Sequence, residues 1–252
     1  QGVMFTGSTE TGNWISRKLA DREGGSVPLI AETGGQNAMI VDSTALPEQV
    51  VDDVISSGFQ SAGQRCSALR VLFLQEDVAD KIIEMIKGAM KELHVSDPAM
   101  LDSDVGPVID EKALNRLNAH VEYLKDKGKL VHKCELAVNH ENGHNFFVPH
   151  LYEIPSLSVL ENEVFGPVVH VIRFAANELD NVIQQINNTG FGLTMGVHSR
   201  IEEVTKYVAA KVKVGIVYVN RNMIGAVVGV QPFGGRGLSG TGPKAGGPHY
   251  LS

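Results

Sequence analysis

Apolar residues recur along this chain in two alternating rhythms. Short Val-, Ile- and Leu-rich runs bounded by glycine, proline or polar residues predict strands over residues 3–6, 27–31, 37–41, 69–74, 168–174, 193–198 and 214–219. Between them the apolar positions take helical spacing. Val50, Val51, Val54 and Ile55 give one face to residues 46–58, and Val78, Ile82, Ile83, Met85, Ile86, Met90 and Leu93 give a broad face to residues 77–93. Leu114, Leu117, Val121 and Leu124 form the seam of a helix over 111–126, and further helices are predicted over 9–23, 179–187 and 201–210. Ser8 or Thr9 suits the N-cap of the first helix, and Gly24-Gly25 suits its end. From Asn220 onward glycine and proline dominate and predict loop. Strands alternating with helices predict an α/β fold with a mostly parallel sheet.

Composition narrows the function classes. The 252 residues are 43% hydrophobic, enough for a sizeable core, and the net charge of −7 disfavours a nucleic-acid partner. Apolar runs such as 224–230 are far too short to span a bilayer, so no membrane insertion is expected. Two cysteines, Cys66 and Cys134, are too few for a disulfide framework and point to a reducing, cytoplasmic setting. The dispersed histidines show no ligand spacing, so no metal site is expected. Both ends read as cut, which predicts a piece of a longer protein.

Four stretches carry candidate chemistry. The segment from Gly7 and Ser8 to Gly12 joins a strand to a helix, where backbone N–H groups and the helix N-terminus favour a phosphate; an ordinary strand-to-helix turn is the competing reading. Cys66 stands in the small, polar stretch Gly63-Gln-Arg-Cys-Ser-Ala-Leu-Arg70, where Arg65 and Arg70 are expected to lower its pKa; a buried structural cysteine is the alternative. Cys134, among charged neighbours, reads as an incidental loop cysteine. Glu32, beside the turn Thr33-Gly34-Gly35, is placed as a general base or else as a solvated edge residue. Glu163, in a turn closed by Gly166-Pro167, can accept hydrogen bonds from ribose hydroxyls or can be an ordinary loop charge.

Taken together and in order, these pieces resemble the aldehyde dehydrogenase superfamily. The matching stretches are Phe5 to Gly12, Glu32 to Asn37, Gly63 to Cys66, Glu163 to Pro167 and Pro232 to Gly235. Glu32 precedes Cys66 by 34 positions, and Cys66 precedes Glu163 by 97, in register with that family. The stretches Thr33 to Asn37, Gln64 to Arg70, Ile224 to Gly235 and Gly246 to Tyr250 are similar more narrowly to the Δ1-pyrroline-5-carboxylate dehydrogenases, above all to the dehydrogenase module of bacterial bifunctional proline utilization A proteins.

The resemblance implies NAD as cofactor and an aldehyde as substrate. Cys66 would be the nucleophile and Glu32 the base that hydrolyses the thioester. Gly7, Ser8 and Gly12 would lie near the pyrophosphate, Thr33 and Gly34 near the carboxamide, and Glu163 and Phe165 at the nicotinamide riboside. Ser67 and the N–H groups of Gly225 and Ala226 would grip the substrate carboxylate, with Phe233 against its aliphatic part. Residues 1–34 would end a Rossmann-like NAD-binding domain, 35–235 form the catalytic domain and 236–252 a truncated C-terminal segment. FAD would belong only to a proline dehydrogenase module outside this chain, and the full-length parent would be a homo-oligomer. The family's oxyanion asparagine, ribose-binding lysine and most of its dinucleotide fold have no counterpart here, so weak NAD binding and little activity are expected of the isolated chain. Another semialdehyde dehydrogenase, a cofactor-independent cysteine hydrolase using Cys66 and Glu32, and a non-catalytic assembly fragment stay open at this point.

Overall fold

The structure, a computed structural model, describes residues 2–137 and 145–250. Its frame is a seven-stranded sheet made of β3 (Ala38–Val41), β4 (Val71–Gln75), β5 (Lys129–Lys133), β6 (His150–Glu153), β7 (Val168–Phe174), β9 (Thr194–His198) and β10 (Ile216–Val219). The order is β10-β9-β3-β4-β7-β6-β5, and every pairing is parallel except β5 with β6. A separate parallel pair, β1 (Val3–Thr6) with β2 (Leu29–Glu32), carries helix α1 (Thr9–Ala20). Two short strands, β8 (Phe191–Gly192) and β11 (Arg236–Gly237), pair antiparallel.

The central strands are apolar on both faces because helices cover both, as parallel sheets require. Met39, Val71, Leu72, Phe73 and Leu74 are fully buried. Helices α2 (Pro47–Phe59), α3 (Glu76–Lys91), α4 (Glu111–Leu124), α5 (Leu179–Asn188) and α6 (Glu202–Lys211) pack their apolar stripes into this core. Among the described residues no helix is long and apolar enough to cross a membrane.

Most expected elements form within a few residues of their predicted bounds. The second strand starts at Leu29 because Pro28 has no N–H to give a ladder, though its carbonyl accepts from Val3 at 2.9 Å. Helix α1 ends three residues early, where the Asp21 N–H closes on Arg17. Strands β5 and β6 escaped the sequence pattern, because Lys-Leu-Val-His-Lys and His-Leu-Tyr-Glu mix charge into short runs. Such lysines suit β5, an exposed sheet edge. Cys134 is corrected outright. It is 3% exposed, not looped into solvent, and its thiol donates to the Met90 carbonyl at 3.1 Å. Burial pushes that thiol up to about 12, so it remains an unreactive core group.

Two histidines stitch α4 to β7. His170, fully buried, faces the Arg70 carbonyl with Nδ1 at 2.9 Å, so Nδ1 carries the proton. Its Nε2 then accepts from Nε2 of His120 at 2.8 Å, which fixes both tautomers with both rings neutral. Burial drives His120 down to about 4 and His170 to about 3. The unfolded chain takes up these protons near pH 6.5, whereas the fold resists them. Stability is therefore expected to fall as pH drops from about 6.5 towards 4. Urea denaturation at several pH values should show a shallower decline in His120→Gln, and an unchanged slope would remove the pair from the acid response.

Candidate active site

The site gathers at the amino ends of β3, β4, β7 and β9, facing the carboxyl ends of β1 and β2. Asn37, just before β3, organises the thiol loop. Its amide donates to the carbonyls of Cys66 at 2.6 Å and Ala68 at 2.9 Å, and its oxygen accepts from the Thr194 N–H at 3.3 Å. Beyond α2 the chain takes three successive left-handed residues, Ser61, Ala62 and Gly63, with φ of 55°, 52° and 62°. Left-handed backbone is costly for side-chain-bearing residues, so this sharp reversal is imposed by its surroundings. At Gly63 a Cβ would also overlap the Gly166 carbonyl, so the thiol loop and the Glu163 turn meet backbone to backbone.

Arg70 joins the two. Fully buried, it donates to the carbonyls of Gly63 (2.7 Å), Arg65 (3.0 Å) and Gly166 (3.2 Å) and to Oε1 of Glu163 (3.2 Å). It also lies 5.1 Å from the ring centre of Phe165, which is 44% exposed. The Glu163 carboxylate accepts the Gly35 N–H and rests where a Cβ on Gly34 would be. Burial outweighs the ion pair for both partners, holding Glu163 above and Arg70 below its usual value.

The expected lowering of the Cys66 pKa by Arg65 and Arg70 does not occur. Arg70 is committed to Glu163 and backbone carbonyls, and Arg65 bonds the Ser61 hydroxyl at 3.2 Å. The Cys66 thiol is pushed up, first by burial and then by the Glu163 charge, with a small contribution from Glu32. The N–H of Ser67 pulls the other way.

Glu32 is 6% exposed, so it is not a solvated edge residue. Oε2 accepts from the Gly235 N–H at 3.3 Å, and Oε1 has no partner among the described residues. Burial raises its pKa to about 7, against the opposing pull of Gly235 and Lys244. A carboxyl near 7 exchanges protons readily at neutral pH.

Around this centre the other expected residues divide by location. Gly7 donates its N–H to the Glu32 carbonyl at 3.1 Å, and Ser8 caps α1 by accepting from Thr11 at 3.2 Å. Gly7 and Gly12 pack closely, an added Cβ lying 2.6 Å from the Phe5 ring and 3.1 Å from the Thr33 methyl. Thr33 is held by Leu238 and Ser239 and lies with Gly34 beside Glu163. On the opposite side Ser57 of α2 ties two loops together. Its carbonyl accepts from Leu69 at 2.9 Å and its hydroxyl from Met223 at 3.0 Å. Two residues past Met223, Gly225 turns at φ +77°, and its N–H and that of Ala226 have no acceptor among the described residues. Phe233 is half-buried and pairs backbone to backbone with Ala245. Sequence reasoning missed Asn37, Ser57 and Lys244 as site-building residues, and it gave Arg70 a different role. Asn37 and Arg70 lie inside motifs it had singled out, but their roles depend on partners distant in sequence.

A family model of the aldehyde dehydrogenase family matches residues 1–252. The chain belongs to the aldehyde dehydrogenase family. It is 56% identical over 259 residues to the bifunctional protein PutA of Klebsiella aerogenes, covering 100% of this chain and 20% of that protein. It is 36% identical over 255 residues to the 1-pyrroline-5-carboxylate dehydrogenase of Geobacillus kaustophilus (strain HTA426), covering 99% of this chain and 48% of that one. Among solved structures, a bifunctional proline utilization A (PutA) protein superposes with a TM-score of 0.95 at 57% identity, over 99% of this chain and 25% of that chain. A 1-pyrroline-5-carboxylate dehydrogenase from Thermus with bound NAD gives a TM-score of 0.89 at 33% identity, over 98% of this chain and 48% of that chain. The chain thus spans about a fifth of the PutA relatives and about half of the single-function dehydrogenases.

For this aldehyde dehydrogenase chain the charge layout gives a direct expectation. Glu163 disfavours the Cys66 thiolate, so Glu163→Gln should lower the thiol's pKa. It also leaves Arg70 uncompensated, which acts in the same direction. Alkylation of Cys66 by iodoacetamide at pH 7 should speed up several-fold, and Glu32→Gln should do less. An unchanged or slower rate in Glu163→Gln would contradict the layout.

Proposed function

We propose that this chain carries the thiol and base of an NAD-dependent dehydrogenase that oxidises glutamate γ-semialdehyde, the open form of Δ1-pyrroline-5-carboxylate, to glutamate. The observation that carries the reading is the placement of one partly accessible thiol, Cys66, within electrostatic reach of a buried carboxyl, Glu32, that titrates near neutrality. The names of the most similar relatives and the NAD in the Thermus structure support the substrate and the cofactor.

In this reading Cys66 gives its proton to solvent, and the thiolate Sγ attacks the aldehyde carbon to form a thiohemiacetal alkoxide. Bound NAD would accept hydride from that carbon, which leaves a thioester on Cys66. Glu32 takes a proton from water, and the resulting hydroxide attacks the thioester. This releases the carboxylic acid and frees the thiolate, so one hard oxidation becomes two easier steps.

The residues present fit the cofactor. The capped N-terminus of α1 beside Gly7 and Ser8, with Gly12 behind, suits phosphate. The Glu163 carboxylate suits ribose hydroxyls, the exposed Phe165 ring suits the nicotinamide face, and the turn at Thr33 and Gly34 suits its carboxamide. Residues 1–34 would then end the nucleotide-binding part and 35–235 form the catalytic part, with 236–252 closing against both. For the substrate's α-carboxylate, the unengaged N–H groups of Gly225 and Ala226 are suitable donors, joined by the Ser67 hydroxyl, with Phe233 against the methylene chain.

Two measurements in the full-length enzyme test this. Glu32→Gln should keep a burst of NADH near one per site and stall afterwards, with an acyl adduct on Cys66 by mass spectrometry; absence of both burst and adduct would refute the division of labour. Gly225→Val should cost roughly 2–3 kcal/mol in kcat/KM for the semialdehyde and far less for propanal. The loss is expected from the φ of +77° alone, because an added Cβ meets nothing within 4 Å. Equal losses on both substrates would reduce the loop to scaffolding.

A further inference from the structure

One cation reaches the Glu32 crevice, and the reaction scheme above does not use it. Lys244 lies in the segment that follows β11. Its neighbour Ala245 pairs with Phe233 through two backbone hydrogen bonds of 2.9 and 2.7 Å, which presses Lys244 onto Gly234. Gly234 is a thin spacer. A Cβ built on it would lie 2.7 Å from Oε1 of Glu32 on one side, and 3.0 and 3.1 Å from Cα and Cγ of Lys244 on the other. The Lys244 ammonium donates to the carbonyl of Gly215, and Gly215 in turn packs on the Gly234 carbonyl. The lysine is therefore tethered beside the carboxylate rather than free to follow solvent. No direct ion pair within 4.0 Å joins the two.

Oε1 of Glu32, buried and without a partner among the described residues, points into this same crevice. A buried carboxylate with one backbone donor is poorly compensated. Held behind one glycine, an ammonium stabilises the anion without capping either carboxylate oxygen. The charged and titratable groups around Glu32 are Lys244 on this side and the Cys66 thiol on the thiol loop. The Glu163–Arg70 pair faces that thiol from beyond.

We propose that Lys244 is a positioning residue for the hydrolytic step: tethered to the Gly215 carbonyl behind Gly234, it favours the anionic form of the Glu32 carboxylate and leaves both its oxygens uncapped by a direct ion pair. The proposal rests on the reading of Glu32 as the base. It places a cation, not a proton relay, behind the base, and predicts that hydrolysis, not hydride transfer, is what Lys244 controls. Burial remains the larger influence on Glu32, and Lys244 partly offsets it.

The test uses the full-length enzyme, with Lys244→Met and Lys244→Arg, and follows hydrolysis of the Cys66 acyl group formed from p-nitrophenyl acetate as a function of pH. Wild type should titrate with a midpoint near 7. Lys244→Met should move the midpoint upward, so that the rate at pH 7 falls several-fold and recovers towards the wild-type plateau at high pH. The NADH burst with aldehyde should keep its rate constant. Lys244→Arg should restore the midpoint. As a readout independent of turnover, the protonated-carboxyl infrared band that vanishes in Glu32→Gln should titrate higher in Lys244→Met. A uniform loss at every pH, or a band that does not move, overturns the role of Lys244. If Glu32→Gln itself hydrolyses the acyl group with the wild-type profile, the base assignment fails instead, and the infrared titration still decides whether Lys244 holds the Glu32 charge.

Discussion

The guanidinium of Arg70 is the constraint on which the site depends. It is a full charge with no access to water, costly unless its donors find acceptors; both terminal nitrogens do, while Nε has none among the described residues. Three of its bonds go to backbone carbonyls and one to Glu163, so it measures the gap between the thiol loop and the Glu163 turn from both sides. Removing the side chain would leave three inward-facing carbonyls and a buried carboxylate without their donor. The left-handed run at Ser61 to Gly63 and the neutral His170–His120 pair both follow from accommodating it. The first bends the chain so that the Gly63 carbonyl points at Arg70, and the second secures Arg70's own carbonyl.

Placement along the strands decides where the Cys66 thiol lies. In open parallel sheets ligands commonly lie beyond the carboxyl ends of the strands. Here Asn37, Arg70, Pro167 and Leu193 instead precede β3, β4, β7 and β9, so the thiol loop sits at the amino ends. Glu32 comes from the carboxyl end of β2, in the other sheet. Cys66, Glu32 and Glu163 thus lie where the two sheets face each other. Three groups able to carry negative charge, Cys66, Glu32 and Glu163, share that gap with Arg70 and Lys244. Burial raises all three, and the charges of Glu163 and Glu32 push the Cys66 thiol further up.

How far this could be read from sequence follows from the range of each interaction. The central strands β3, β4, β7 and β9 and the core helices were legible because their apolar period is local, and Cys66, Glu32 and Glu163 could be singled out because they stand in short motifs, whereas the buried strand β6 is too short and mixed to show. Strand β5 was not legible, since an edge strand needs no continuous apolar run. Cys134 looked solvated because its neighbours in sequence are charged, yet the thiol turns inward to the Met90 carbonyl. The expectation for the Cys66 thiol failed for a related reason. Sequence places Arg65 and Arg70 close by, but cannot reveal that one bonds Ser61 and the other is held by Glu163, 93 positions away.

The last glycine-rich stretch, which pattern alone reads as featureless loop, closes the arrangement. The Leu238 carbonyl accepts from the hydroxyls of Thr9 and Thr33, and the Ser239 carbonyl from the Thr33 N–H. The Ser239 hydroxyl accepts from Gly192 at 2.9 Å, on the side of the thiol-bearing sheet. Thr241 bonds β2 through the Ala31 carbonyl, and its hydroxyl accepts from the Ala31 N–H at 2.9 Å. A segment bonded to β2 and to β8, which runs directly into β9 of the seven-stranded sheet, ties the Glu32 side of the site to the Cys66 side. Its glycines are needed because backbones approach closely here: a Cβ on Gly235 would meet Ser239 at 2.6 Å. Glu32 is therefore positioned both by its own strand and by a chain segment some two hundred residues later, which also delivers Lys244 to its side.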